Sequence, residues 1–253
     1  MRIENAVGLV TGGASGLGAG TARMLVERGA RVGILDREGT DGAELAAALG
    51  ERAAFVPCDV ADEGTVADAV TEVADRFGRI DVCVNAAGVS PAARVLSRKG
   101  ELHPLDVFRR TLEVNLVGAF DVLRHAAAVM ARNEPGESGE RGLIVNVSSA
   151  AALEGQAGQA AYSASKGGLV SLTLPLARDL AIWGIRVMTI CPGIMDTGML
   201  AGADEKRRAA LMDLHVFPKR LGRPGDFAQL VASFMENELL NGEVVRLDAA
   251  TRL

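Results

Sequence analysis

The sequence predicts an α/β fold, a doubly wound parallel sheet of about seven strands flanked by helices, in one domain spanning residues 1–253. Three observations predict it. Short β-branched apolar runs alternate with longer stretches of helical period, the pattern of parallel strands covered on both faces. The chain is 49% apolar and 23% charged, so it can bury enough surface to offset the entropy of ordering. It has 30 glycines but only 4% aromatic residues, which suits helices packed closely on a sheet and argues against a sandwich or barrel.

The expected strands are VGLVT (7–11), RVGILD (31–36), AAFVPCD (53–59), IDVCVN (80–85), GLIVNVSS (142–149), IRVMTICP (185–192) and EVVRLD (243–248). About six helices lie between them, including TARMLVERG, GTVADAVTEVADRFG, LDVFRRTLEVNLVGAFDVLRHAAAVMA and YSASKGGLVSLTLPLARDLAIWG. Gly29, Gly78 and Gly184 stand where helices commonly stop. Residues 90–104 and 132–141 are polar and rich in Gly or Pro, and read as surface loops. Residues 193–224 mix Ile194, Met195, Met199 and Leu200 with a charged helical piece; following the sixth strand, they form the best candidate for a substrate lid.

A net charge of −5 gives no basic field for nucleic acid or an anionic membrane surface. No apolar run is long enough to span a bilayer, and the N-terminus lacks the pattern of a signal peptide, so a cytoplasmic location is expected. Cys58, Cys83 and Cys191 read as reduced core thiols, and His103, His125 and His215 are too scattered for a zinc site.

Chemistry first shows at residues 11–18, where T-G-G-A-S-G-L-G follows the first strand and opens into a helix. Gly12, Gly16 and Gly18, with Ser15 and Leu17, would bring backbone N–H groups against a pyrophosphate, which the helix N-terminus attracts. This marks the sheet as Rossmann-type. The second strand ends in Asp36, whose carboxylate can accept both adenosine ribose hydroxyls and repels a 2′-phosphate. NAD is therefore favoured over NADP, with Arg37 the contrary sign. Asp59 and Val60 after the third strand could meet the adenine, and Asn85, Ala86 and Gly88 after the fourth would let a cofactor lie on the backbone.

Tyr162 and Lys166 are four apart on a helical stretch, hence side by side. A phenol titrates near 10 and needs help near neutrality; one ammonium about 4 Å away would supply about 4 kcal/mol at an effective dielectric near 20. Ser149, thirteen residues before Tyr162, ends the fifth strand and could donate to a substrate oxygen, with Ser148 its rival.

Taken together, T-G-G-A-S-G-L-G, Asp36, Asp59-Val60, N85-A-A-G88, Asn115, Ser149, Y162-x-x-x-K166 and P192-G193 resemble the short-chain dehydrogenase/reductase family nearly end to end. The resemblance implies that Tyr162 is the general acid/base, that Lys166 lowers its pKa and binds the nicotinamide ribose, and that Ser149 orients the substrate oxygen. It also implies that Asn115 holds a water relaying protons to Lys166, and that Pro192, Gly193, Met195 and Thr197 receive the carboxamide. Segments such as AAALEGQAGQAAYSASKGGLV and NELLNGEVVRLDAATRL are similar to family members that act on 3-hydroxyacyl-CoA. That likeness implies NAD-dependent oxidation at C3, a homotetramer, a place in fatty acid metabolism, and Gln159 near the substrate. Ala249 departs from the glycine usual after Asp248.

Two further substrates keep the same chemistry: a steroid or other apolar alcohol, and a 3-oxoacyl carrier-protein ketone. Asp36, and the lack of a basic residue at Ala14, argue against the NADPH use common among carrier-protein reductases. A non-catalytic NAD-binding sensor is the reading from another class; its mark would be a broken Ser–Tyr–Lys set, and here the set is intact. Arg207, Arg208 and Lys219 are candidates for CoA phosphates or a solvated helix face. No metal is expected.

Overall fold

The computed structural model describes every residue except Ala201, Ala203 and Leu253, and the side chain of Met199 is likewise outside the described set. Part of the expected lid thus lies outside the described residues. The order begins β1 (Val7–Thr11), α1 (Gly16–Glu27), β2 (Arg31–Asp36), α2 (Gly42–Leu49), β3 (Ala53–Pro57), α3 (Glu63–Phe77) and β4 (Val82–Asn85). It continues with α4 (Leu105–Leu112), a π-helical turn (Glu113–Val117), α5 (Gly118–Met130), β5 (Gly142–Val147), α6 (Ala160–Leu180) and β6 (Ile185–Pro192). The chain ends with α7 (Glu205–Asp213), α8 (Pro224–Glu236) and β7 (Val244–Leu247).

The seven strands form one parallel sheet in the order β3-β2-β1-β4-β5-β6-β7. The order reverses between β1 and β4, where an open α/β sheet forms a crevice at the carboxyl ends of its strands. Strands β1, β4, β5 and β6 are buried throughout, so their apolar character runs continuously instead of alternating. One core, with Val70, Val73, Val122 and Leu176, lies under α3, α5 and α6; the other, with Leu25, Val231 and Phe234, lies under α1 and α8.

Helix α3 shows how local signals set these elements. Asp62 caps it, accepting from the Thr65 N–H at 3.1 Å. Val66, Ala69, Val70, Val73 and Phe77 recur on one buried face, and fully burying each larger side chain contributes roughly 1.5–3 kcal/mol. Gly78 ends the helix at φ 83°, a conformation that favours glycine.

Eight α-helices are found among the described residues, against about six expected. The single helix expected over 105–131 is α4 and α5 joined by the π turn, so the helical stretch is continuous but its hydrogen bonding changes at Glu113–Val117. No helix among the described residues is long and apolar enough to cross a membrane.

Candidate active site

The first βα turn is built by contact. A Cβ on Gly12, which sits at φ +61°, would come within 2.8 Å of the Ala87 Cα, and one on Gly18 would collide with the Gly12 carbonyl. The turn thus presses α1 against β1 and lets the backbone after β4 lie over it. Thr11 helps, its Oγ1 accepting from the Ala87 N–H at 3.2 Å. Ser15 is the N-cap of α1 and bonds nothing with its side chain there. Leu17 packs partly buried against the core under α1. The side of Gly16 faces Thr197, whose Cβ lies 3.4 Å from where a Gly16 Cβ would stand. The loop after β6 therefore closes over the nucleotide turn.

Asp36 ends β2 beside this turn, its Oδ2 accepting from the Ala14 N–H at 3.1 Å and its Oδ1 from the Arg37 N–H at 2.9 Å. Two backbone donors fix the carboxylate and leave lone pairs toward the crevice. Asp59 is more engaged than its expected role at the adenine implied. Its Oδ1 accepts from the Ala61 N–H at 3.0 Å and its Oδ2 from Arg110 Nη2 at 3.1 Å; the Ala61 bond is the first cause holding its pKa below the usual carboxylate range. Val60 is buried, its carbonyl against Gly118.

Asn85 is directed into the sheet. Its Nδ2 donates to the Ala119 carbonyl at 3.2 Å and to Asn146 Oδ1 at 3.0 Å, its register partner on β5. What this strand end offers a ligand is the backbone of Ala86, Ala87 and Gly88. Gly88 lies against two of the candidate catalytic residues: a Cβ there would be 3.2 Å from Asn115 Oδ1 and 3.4 Å from Lys166 Nζ.

Asn115, on the π turn, is fully buried. Its Oδ1 accepts from the Val89 N–H at 2.8 Å, and its Nδ2 donates to the Val89 carbonyl at 2.9 Å and to Ser165 Oγ at 3.0 Å. The side chain is thus a clamp joining the loop after Gly88 to α6, with both Nδ2 hydrogens engaged. Ser165, three after Tyr162 and bonded to the Tyr162 carbonyl, escaped the sequence reading although its helical spacing was visible.

Ser148 and Ser149 separate cleanly. Ser148 is buried, and its Oγ donates to the Lys166 carbonyl at 2.7 Å, so it braces α6 against β5. Ser149 is partly exposed; its Oγ accepts from the Ala151 N–H at 3.1 Å and hydrogen-bonds the Tyr162 phenol. Gln159 stands at the N-cap position of α6, but its side chain turns back, its Oε1 accepting from the Gln156 N–H at 2.8 Å.

Lys166 is buried, its Nζ donating to the Val147 carbonyl at 2.7 Å and lying 5.8 Å from the centre of the Tyr162 ring. Burial depresses it from 10.5 to about 8. The phenol moves the other way: burial raises it above its ordinary 10, and the Ser149 hydroxyl draws it partly back. Burial thus opposes the help expected from Lys166, to which an oxidised nicotinamide adds positive charge. The ammonium sits over the ring and points at a backbone oxygen, and desolvation dominates both groups.

After β6, Pro192 is buried and Gly193 packs on Asp248, so closely that a Cβ there would be 2.6 Å from the Asp248 Cβ. Met195 is buried and pairs with Gly222 across the base of the 193–224 segment, where Asp196 N–H donates to the Gly222 carbonyl at 2.7 Å. Arg208 pairs with Asp196 at 2.6 Å and Lys219 Nζ donates to the Asp213 carbonyl at 3.1 Å. Neither is held ready for a phosphate.

The glycine cradle, the carboxylate ending β2 and the Ser–Tyr–Lys set fit a nicotinamide dinucleotide. The short chain dehydrogenase family pattern matches residues 6–208. The chain belongs to the short-chain dehydrogenase family. The chain is 50% identical over 252 residues to the 3-hydroxyacyl-CoA dehydrogenase type-2 of Bos taurus, covering 99% of this chain and 97% of that protein. It is 49% identical to the protein of the same name from Drosophila melanogaster, over 99% of both. A crystal structure of 3-hydroxyacyl-CoA dehydrogenase type-2 from Mycobacterium avium superposes with a TM-score of 0.94 at 42% identity, covering 98% of this chain and 96% of that one. The protein is an oxidoreductase of CH–OH groups that uses a nicotinamide cofactor.

Proposed function

We propose that this short-chain dehydrogenase interconverts 3-hydroxyacyl-CoA and 3-oxoacyl-CoA with NAD. The observation that carries this reading is likeness to the type-2 dehydrogenases through 99% of the chain, including the loops that border the site. Those loops expose apolar side chains suited to an acyl chain: Leu96 and Leu102 before α4, Leu153 after Ser149, and Val216 and Phe217 on the lid, the last 81% exposed.

In this mechanism Ser149 Oγ donates to the substrate oxygen and the Tyr162 phenolate takes the hydroxyl proton. Lys166, held by the Val147 carbonyl, places its positive charge beside the developing phenolate and within reach of a ribose. Asn115 and Ser165 keep α6 and the Gly88 backbone in register. The nicotinamide, when bound, takes up or returns the hydride. Gly12, Ser15, Gly16, Leu17 and Gly18 would hold the pyrophosphate, Asp36 the adenosine ribose, and Pro192 to Thr197 the carboxamide end, under a lid formed by 193–224. Asp59, Val60 and the backbone of Asn85 to Gly88 would border the rest of the cofactor, and Gln159 the substrate.

We further infer a single catalytic domain, a homotetramer and a cytoplasmic place in fatty acid metabolism. The assembly is supported by a groove on α5 and α6 where Phe120 and Trp183 are exposed, suited to a second copy. The compartment is supported by three buried, unpaired cysteines.

The test is kcat/KM with NAD and NADP for short 3-hydroxyacyl-CoAs, steroids and carrier-protein substrates. The acyl-CoAs with NAD should give the highest values; a steroid or carrier-protein preference would overturn the substrate. Asp36→Ala should lower kcat/KM for NAD about 10–100-fold, since hydrogen bonds to a charged group are worth about 1.5–3 kcal/mol each, and should narrow the preference over NADP. An unchanged preference would remove Asp36 from cofactor selection.

A further inference from the structure

Arg246 on β7 bonds two carboxylates, one in the turn that begins at Ser149 and one that packs on Gly193. Its Nη1 donates to Glu154 Oε1 at 2.7 Å, its Nε to Asp248 Oδ2 at 2.6 Å and its Nη2 to the Thr251 carbonyl at 3.0 Å. Glu154 closes the turn that begins at Ser149, its N–H bonded to the Ala150 carbonyl at 3.0 Å. Asp248 packs on Gly193, and the Gly193 N–H donates to the Leu247 carbonyl at 2.9 Å. In the sheet, Arg246 is the register partner of Cys191, next to Pro192.

One planar guanidinium therefore spans from the serine turn to the turn at Gly193. Its donors diverge at fixed angles, so three partners are held in one geometry, which a single ammonium cannot reproduce. Its side chain is 22% exposed, Glu154 23% and Asp248 7%, so these pairs are screened less than exposed ones. Arg252 touches the same two carboxylates, but at 3.4 Å and 63% exposed, where ion pairs contribute little.

We propose that Arg246 is a positioning residue for the dehydrogenase reaction: through Glu154 and Asp248 it sets the Ser149 hydroxyl relative to the Pro192–Gly193 turn, and so the substrate oxygen relative to Tyr162. It touches neither substrate nor cofactor. The proposal rests on the roles given above to Ser149 and Tyr162.

The experiment measures kcat and KM for 3-hydroxybutyryl-CoA and NAD in Arg246→Lys, Glu154→Gln, Ser149→Ala and the Ser149→Ala/Arg246→Lys double variant. Arg246→Lys should lower kcat at least about tenfold, as a displacement near 1 Å can cost 10²-fold, with KM for NAD changed less than about threefold. Glu154→Gln should lower kcat in the same direction and by less; if Arg246→Lys does not fold, this variant decides alone. In the Ser149→Ala background Arg246→Lys should cost less than about threefold more, because both act through one hydroxyl. Wild-type kcat in Arg246→Lys with only a lower Tm overturns the proposal, as does a full multiplication of the two losses. Wild-type kcat in Ser149→Ala would refute the underlying serine assignment, and the proposal with it.

Discussion

Tyr162→Phe is expected to lower kcat by about 10³–10⁴-fold while leaving NAD affinity within about twofold, because it removes the proton carrier and nothing else. Tyr162 Oη is placed by α6 beside the Ser149 hydroxyl, and the ring remains to pack against Lys166. NAD affinity, read by calorimetric titration, separates loss of chemistry from loss of fold. Retained turnover would refute the role. The chain has one tyrosine, so the phenol can be titrated directly by ultraviolet difference spectroscopy. Burial holds it above 10, and the positive nicotinamide ring of NAD should draw phenolate formation to lower pH. A phenol still titrating above 10 with NAD bound would contradict a phenolate as the base at neutral pH.

Lys166→Met should give the second-largest loss, about 10²–10³-fold in kcat, and at the same time a protein that melts higher. The first follows from removing the one ammonium beside the developing phenolate. The second follows from burial. The folded-state pKa is depressed to about 8 from 10.5. Between those values the unfolded chain binds more protons, so Lys166 makes stability rise with pH there. Below about 8 the whole desolvation penalty is present, roughly 3 kcal/mol. Methionine removes that penalty and leaves the Val147 carbonyl short of one donor, a smaller loss of about 1 kcal/mol. The net gain of about 1–2 kcal/mol corresponds to roughly 2–8 °C in Tm for a chain of this size. Calorimetry at pH 7 checks it; a lower Tm would mean that the ammonium is held favourably.

The strands were legible because buried parallel strands carry continuous apolar runs: β1, β2 and β6 fall on their expected residues. The runs expected at 53–59 and 142–149 stop two residues early, at Pro57 and Val147, since Cys58-Asp59 and Ser148-Ser149 leave the ladder to serve the crevice. The strand expected from Ile80 begins at Val82, where Asp81 turns back to accept from the Val7 N–H at 2.8 Å. The nucleotide turn and Tyr162–Lys166 were legible because their spacing is local. Ser149 was preferred to Ser148 by position at the strand end, but the partner that separates them was not legible. The Ser148 partner is the Lys166 backbone, 18 residues on, and backbone carbonyls leave no mark in residue identity. The Lys166 bond to Val147 and the Arg246 bond to Glu154, 92 residues away, were invisible for the same want of local pattern.

The brace between β5 and α6 runs both ways: Ser148 Oγ holds the Lys166 carbonyl while Lys166 Nζ holds the Val147 carbonyl. Neither bond borrows an atom from residues 89–105 or 196–222. Residue 89 reaches α6 separately, through the Asn115 clamp to Ser165. A designer seeking a new alcohol should therefore alter residues 90–105 and 196–222 and leave both the brace and the Asn115 clamp alone.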